Sequence, residues 1–270
     1  MGQGTVVIIT GAASGIGRAC AEHLAGHGYL VYGVDRRDSA YTAPVRPVLM
    51  DVDDDESVAS VVRQILAEAG RVDVVVNNAG FGIAGAIEDT SMAEARAQLE
   101  TNFFGAVRVI REVLPHMRSQ GSGLIVNVAS IGGLIALPFQ GLYSASKFAL
   151  EGLSEALRME VQPFGIRVAL LEPADCRTGF TAARRMTAAS ASGAYLQVFT
   201  RSLDVIEADE AHGAHPRIVA RKLEKVIESR SPRLRYMVGA PGERLAAMLK
   251  RLLPYRLFEP IITSHYKVRP

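Results

Sequence analysis

Thr10-Gly11-Ala12-Ala13-Ser14-Gly15-Ile16-Gly17 stands between the apolar run Val6-Val7-Ile8-Ile9 and a helical pattern that begins at about Ile16. Read outward, it is a strand, a glycine turn and a helix start. Gly11, Gly15 and Gly17 let the backbone turn tightly and approach a ligand, and the helix start offers unpaired N–H donors and a positive dipole end. Phosphate is the anion such a turn suits. The spacing GxxxGxG lacks the Gly-Lys-Ser/Thr close of a nucleoside-triphosphate loop and differs from the common GxGxxG dinucleotide fingerprint.

Strand and helix patterns alternate on either side of a single core, so the expected class is α/β. Strand patterns run over Val6–Ile9, Tyr29–Val34, Val45–Met50, Val72–Val76, Leu124–Val128, Ile166–Leu171 and Arg235–Val238, with helical periodicity between most of them. The acidic run Asp53-Asp54-Asp55-Glu56 is placed to cap a helix whose core face is Val58, Val61, Val62, Ile65 and Leu66. Met92 to Met117 reads as one long helix, interrupted in its apolar pattern only by Asn102. Residues 178–215 are irregular, rich in Ala and Ser with scattered bulky groups, and read as a lid of one or two short helices over the carboxyl edge of the sheet.

At 270 residues without a linker, one catalytic domain over 1–240 is expected, followed by an extension over 241–270. The chain carries 30 Lys+Arg against 28 Asp+Glu, a net charge of +2 that gives no reason to expect a nucleic-acid partner. Cys20 and Cys176 lack a disulfide framework and fit a reducing compartment; with neither a leader pattern nor a membrane-spanning run, the expected location is cytoplasmic. The extension has six Lys/Arg against two Glu, and Leu245, Met248, Leu249, Leu252 and Leu253 recur at helical spacing in its first half. It reads as a basic amphipathic helix that packs on its own domain, covers the substrate mouth, joins a partner subunit or touches a membrane surface.

Two positions carry the cofactor argument further. Asp35 ends the second strand twenty residues beyond Gly15, where a carboxylate accepts hydrogen bonds from adenosine ribose hydroxyls and repels a 2′-phosphate; that favours NAD, with NADP made possible by Arg36 beside it. Tyr143 and Lys147, four apart on a helix, share a face, and an ammonium near a phenol lowers its pKa towards what a general acid/base on an alcohol or ketone needs. Ser130, at a strand end, is placed to hold the substrate oxygen. No metal site is expected, since His212 and His215 have no carboxylate or cysteine companion at ligand spacing.

These motifs, in this order, resemble the short-chain dehydrogenase/reductase family over about residues 4–240. The resemblance rests on the 10–17 turn, Asp51, Asn77-Asn78-Ala79-Gly80, Asn102, Ser130 and Tyr143-Ser144-Ala145-Ser146-Lys147. It implies a Rossmann-like three-layer α/β/α sandwich with a seven-stranded parallel sheet, and a catalytic tetrad of Asn102, Ser130, Tyr143 and Lys147. It further implies cofactor contacts from Thr10, Gly11, Ser14, Gly15, Ile16, Gly17, Asp35, Arg36, Asp51, Val52, Asn78, Ala79, Gly80, Tyr143, Lys147, Pro173 and Thr178. Hydride transfer between nicotinamide and a carbinol or carbonyl carbon is the implied reaction, and a homodimer or homotetramer the implied assembly. One departure stands out: Ala174 follows Pro173 where the family usually has glycine, and its Cβ is expected to narrow or shift the backbone there.

Phe81, Ser130, Leu137, Phe139, Phe180, Tyr195 and Phe199 flank the tetrad and are the expected substrate residues. Most are apolar, which favours a lipophilic alcohol or ketone. The long lid and the Arg235–Val238 strand are similar to the hydroxysteroid and retinol dehydrogenase branch of the family, which implies a bulky substrate.

Overall fold

In the computed structural model, which describes residues 4–190 and 193–269, the first apolar run is strand β1 (Val6–Thr10), buried at every position. The glycine turn follows and opens helix α1 (Gly15–Gly26). Strands β2 (Leu30–Asp35) and β3 (Arg46–Leu49), helix α2 (Asp55–Ala69) and strand β4 (Val74–Asn77) complete the first half. The acidic run does cap α2: the Asp54 side chain accepts the N–H of Ser57 at 3.0 Å, and Asp55 and Glu56 fill the first turn.

The second half runs through β5 (Ile83–Ala84), α3 (Met92–Leu99), α4 (Gly105–Gln120), β6 (Gly123–Val128), α5 (Gly141–Val161) and β7 (Ile166–Pro173). Next come α6 (Phe180–Ala183), β8 (Arg185–Met186), α7 (Leu196–His212), α8 (Arg217–Glu228), β9 (Arg235–Val238), α9 (Pro241–Leu252) and α10 (Tyr255–His265). The main sheet has seven strands in the order β3-β2-β1-β4-β6-β7-β9, every pair parallel. This is the Rossmann-like sandwich the sequence leads one to expect.

Strand periodicity builds the two flanking layers. Val7 and Ile9 face a core shared with Leu24 of α1 and Leu223 of α8, whereas Val6 and Ile8 face the opposite core, shared with Ile65 of α2, Met117 of α4 and Leu157 of α5. Burial on both faces explains why the central strands read as continuous apolar runs. No helix among the described residues is long and apolar enough to cross a membrane.

Three features depart from the sequence reading. A π-helical turn, Glu100–Phe104, joins α3 to α4 and carries Asn102, so the long helix is offset by one residue at that point. A second, two-stranded sheet pairs β5 with β8 in parallel and ties the lid to the loop after β4; within the lid, residues 191 and 192 lie outside the described residues. The extension forms two helices: Ala247 of α9 and Phe258 of α10 are buried against Ile135, with Leu249, Leu253 and Ile262 packed around them. A second face of the pair, Leu245, Met248, Leu252, Tyr255, Leu257 and Ile261, is exposed.

The sheet order reverses between β1 and β4, and one side chain clasps the two strand ends. Thr10 Oγ1 accepts the backbone N–H groups of Asn78 and Ala79, each at 2.9 Å, while the Asn78 amide donates to the carbonyls of Thr10 at 2.9 Å and Gly11 at 3.2 Å. Replacing Thr10 by valine keeps its shape and leaves two N–H donors unpaired; a loss of about 1–3 kcal/mol in urea unfolding is expected, larger than for an exposed threonine changed in the same way.

Candidate active site

At the carboxyl edge of the sheet, directly outside the reversal, lies a cavity of about 370 Å³. Its floor on the amino-terminal side is the glycine turn. Gly11 and Gly15 have φ of +66° and +56°, and a Cβ on Gly17 would stand 2.2 Å from the Gly11 carbonyl oxygen, so only glycine permits this packing. The Ser14 side chain does not cap α1, which leaves the first N–H groups of the helix for another acceptor. Gly15 faces Thr178, whose Cβ would lie 3.4 Å from a side chain placed there.

Asp35 lines the same cavity from the end of β2. One of its oxygens accepts the Ala13 N–H at 3.1 Å and the other the Arg37 N–H at 3.0 Å, and the Arg37 guanidinium reaches Ser14 Oγ at 3.3 Å. Arg36, Asp51, Val52, Asn78, Ala79, Gly80 and Pro173 complete this half, together with Ser14 and Ile16. A cradle of bare backbone donors with a carboxylate at its far end fits the pyrophosphate and ribose of a dinucleotide. Thr10 and Gly17 lie behind the wall and shape it.

Tyr143, Lys147 and Ser130 line the other half. The Tyr143 hydroxyl is hydrogen-bonded to Ser130, and Lys147 donates to the Val128 carbonyl at 2.8 Å with its ammonium 5.9 Å from the Tyr143 ring centre. Burial, aided by the carboxylates of Glu210 and Asp175 and opposed by the Ser130 hydrogen bond, pushes the phenol up to about 12. The lowering by Lys147 that the spacing leads one to expect is not what sets the direction; burial does. Burial lowers Lys147 to about 8, opposed by Glu151.

Asn102 lies behind this wall. Its amide donates to the Phe81 carbonyl and Ser146 Oγ at 3.0 and 3.1 Å, and its oxygen accepts the Phe81 N–H at 3.0 Å, so the π-helical turn is held against the loop after β4. Ala174 Cβ points at Gly239, where a second Cβ would stand 2.4 Å away; the methyl expected to narrow the site is accommodated by a glycine at the end of β9.

The substrate side differs from the sequence reading. Phe81, Leu137 and Phe180 line the cavity, with Phe180 5.7 Å from the Tyr143 ring. Phe139, Tyr195 and Phe199 do not: Phe139 and Phe199 meet edge to face with ring centres 5.4 Å apart, and the exposed Tyr195 donates to Glu88 at 2.9 Å. In their place the cavity holds Gln140, Asp175, Arg185, Asp209, Glu210 and Tyr266, so it is only partly apolar. Asp175 could be found beside Pro173, but no periodicity marks Tyr266, which enters from the end of the extension. Among the described residues His23, His27 and Glu224 form the one group close enough to share an ion, and none of the three lines the cavity.

The sequence match agrees with this geometry. A family model described as short chain dehydrogenase covers residues 5–189. The chain belongs to the short-chain dehydrogenase family. It is 42% identical over 268 residues to a protein of Bacteroides thetaiotaomicron named 3-ketodihydrosphingosine reductase, covering 99% of this chain and 100% of that one. Among solved structures it resembles a short-chain dehydrogenase from Streptomyces avermitilis, with TM-score 0.81 and 34% identity over 98% of this chain and 96% of that one. A family member from Burkholderia phymatum in complex with NAD matches with TM-score 0.81 and 28% identity over 93% and 94%. This short-chain dehydrogenase is an NAD(P)-dependent oxidoreductase acting on a CH–OH/C=O pair.

The lowered Lys147 gives a stability test. Between about pH 8 and 10.5 the unfolded chain still holds this proton while the folded chain has released it, so stability from this group rises with pH across that window. The stability difference between wild type and Lys147→Met, measured by urea unfolding, should shift towards the wild type from pH 8 to 10.5; a flat difference would contradict a depressed lysine.

Proposed function

We propose that the protein interconverts a lipophilic secondary alcohol and its ketone, with Tyr143 as general acid/base. The observation that carries this reading is the meeting, in one cavity, of the glycine turn and Asp35 with Tyr143, Ser130 and Lys147. The bound cofactor supplies or accepts hydride at C4 of its nicotinamide. For reduction, Ser130 holds the carbonyl oxygen by a hydrogen bond and Tyr143 gives that oxygen its phenolic proton as the carbon is reduced; oxidation runs the same steps in reverse. A phenol raised to about 12 stays protonated at neutral pH, which suits a proton donor. Lys147 would hold the nicotinamide ribose and, lowered to about 8, would exchange a proton near neutrality; Asn102, bonded to the Phe81 backbone, would support the path by which that proton is replaced from solvent.

Asp35 supports NAD as cofactor, and the Arg37 guanidinium beside Ser14 supports the NADP reading as the alternative. The Bacteroides relative, together with the apolar part of the lining formed by Phe81, Leu137 and Phe180, favours a long-chain ketone over the steroid and retinoid substrates of the hydroxysteroid and retinol dehydrogenase branch. A homodimer through the long helices is supported by the exposed Phe104 and Met159. Contact of the extension with a membrane surface is supported by the exposed Leu245, Met248, Leu252 and Leu257 beside Arg244, Arg251 and Arg256. A panel of long-chain, steroid and retinoid alcohols and ketones, run with NAD(H) and NADP(H), tests the reading. Turnover of an apolar ketone is expected with a preference for NADH, and Tyr143→Phe should lower kcat by about 100-fold or more; cofactor binding without turnover across the panel would mean a nucleotide-binding regulator instead.

A further inference from the structure

We propose that the substrate carries an ammonium group beside its carbonyl, and that Asp175 and Tyr266 recognise it, with Tyr266 delivered by the C-terminal extension. This rests on the carbonyl-reductase reading of the cavity. Two features of the wall combine. Tyr266 enters at the end of α10, where its own carbonyl accepts the Ser202 hydroxyl at 2.6 Å and the buried Phe258 anchors the helix below it. Asp175 stands two residues past Pro173, and the partner of its carboxyl group is another carboxyl group, that of Glu243 on α9; Glu243 also accepts the Asp175 N–H at 3.1 Å.

Charge bookkeeping makes this pair unusual. Of the other acids at this end, Asp209 is paired with His265 at 2.9 Å, and Glu210 with the buried Arg184 and with Thr181. Among the described residues no Lys, Arg or His forms an ion pair with Asp175 or Glu243. Arg185, the cation on the substrate side of the wall, lies over the face of Phe81, 4.4 Å from its ring centre. Burial, then Glu243, Asp209 and Glu210, push Asp175 up to about 7, and burial with the same carboxylates holds the Tyr266 phenol above its ordinary range. Two half-buried acids in contact need a shared proton or a cation, and an ammonium group from the ligand supplies the cation. The same carboxylates act on Tyr143, so the acidic end lies within electrostatic reach of the proton donor. An amine close to the carbonyl meets both requirements, whereas a carboxylate or phosphate in that position would be repelled. The Bacteroides relative is named for 3-ketodihydrosphingosine, a long-chain ketone whose neighbouring carbon bears an amine.

The test compares a saturated long-chain 2-amino-3-ketone with the same ketone lacking the amine, using full-length enzyme with reduced cofactor. The wild type should prefer the amino ketone by about tenfold or more in kcat/KM, the strength of a charge-assisted hydrogen bond. Asp175→Asn and Tyr266→Phe, each checked by thermal melting, should bring that ratio towards one through KM. In parallel, calorimetric binding of the saturated long-chain 2-amino alcohol and its amine-free counterpart, with oxidised cofactor present, should show the same preference. Equal efficiency and equal binding for the two compounds, or a ratio unmoved by both variants, would overturn the proposal while leaving the reductase reading in place. Tighter binding of the amine, lost in the variants, with neither ketone reduced, would uphold it and overturn the reductase reading.

Discussion

The hydroxyl of Thr10 accepts two N–H groups across the one place where the sheet reverses its strand order, and the rest of the site depends on that clasp. Parallel strands on either side of a reversal send their connections to opposite faces, so a crevice opens at their carboxyl ends. The clasp sets its width. It fixes the loop after β4 against the glycine turn, and Asn78 returns two hydrogen bonds of its own to Thr10 and Gly11. The same loop carries Phe81, to which Asn102 binds from the π-helical turn, and Asn102 in turn contacts Ser146 of α5. One chain of hydrogen bonds thus runs from the first strand to the helix that bears Tyr143 and Lys147.

Burial then decides the electrostatics. Tyr143 is raised, Lys147 is lowered, and Glu172 behind them is pushed up to about 8 by burial and by Glu151 although both carboxylates meet Arg235. In each case the neutral form gains, as it should where water is excluded. The extension adds to that exclusion: α9 and α10 cover Ile135, bring Tyr266 to the wall and set Glu243 against Asp175. It meets the lid where Ser202 donates to the Tyr266 carbonyl, and these late elements supply Arg185, Asp209, Glu210 and Tyr266 to the substrate side of the cavity.

Elements defined by continuous burial were legible in the sequence. The central sheet strands were readable because residues such as Val74, Val75 and Val76 are buried on both faces, and the turn because its glycines meet backbone that no Cβ could approach. What escaped reading has physical reasons too. An offset of one hydrogen bond at Glu100–Phe104 leaves apolar spacing nearly intact, so only the polar interruption at Asn102 hinted at it. The β5–β8 pair has two residues per strand, too few for a period. Aromatic side chains near the tetrad in sequence were expected in the cavity, yet Phe139 and Phe199 satisfy each other, while Tyr266 arrives from a tail whose pattern reports only how its helices pack.

In the proposed reaction, hydride passes directly between the nicotinamide and the carbonyl carbon while Tyr143 serves the carbonyl oxygen. The most direct measurement is isotope transfer: reduction of a long-chain ketone with cofactor deuterated at C4, followed by mass spectrometry of the alcohol. Direct transfer leaves one deuterium per molecule, on the carbinol carbon, when the cofactor face that reacts is the labelled one, and none when the other face is labelled. Alcohol that forms without deuterium from either face would contradict it.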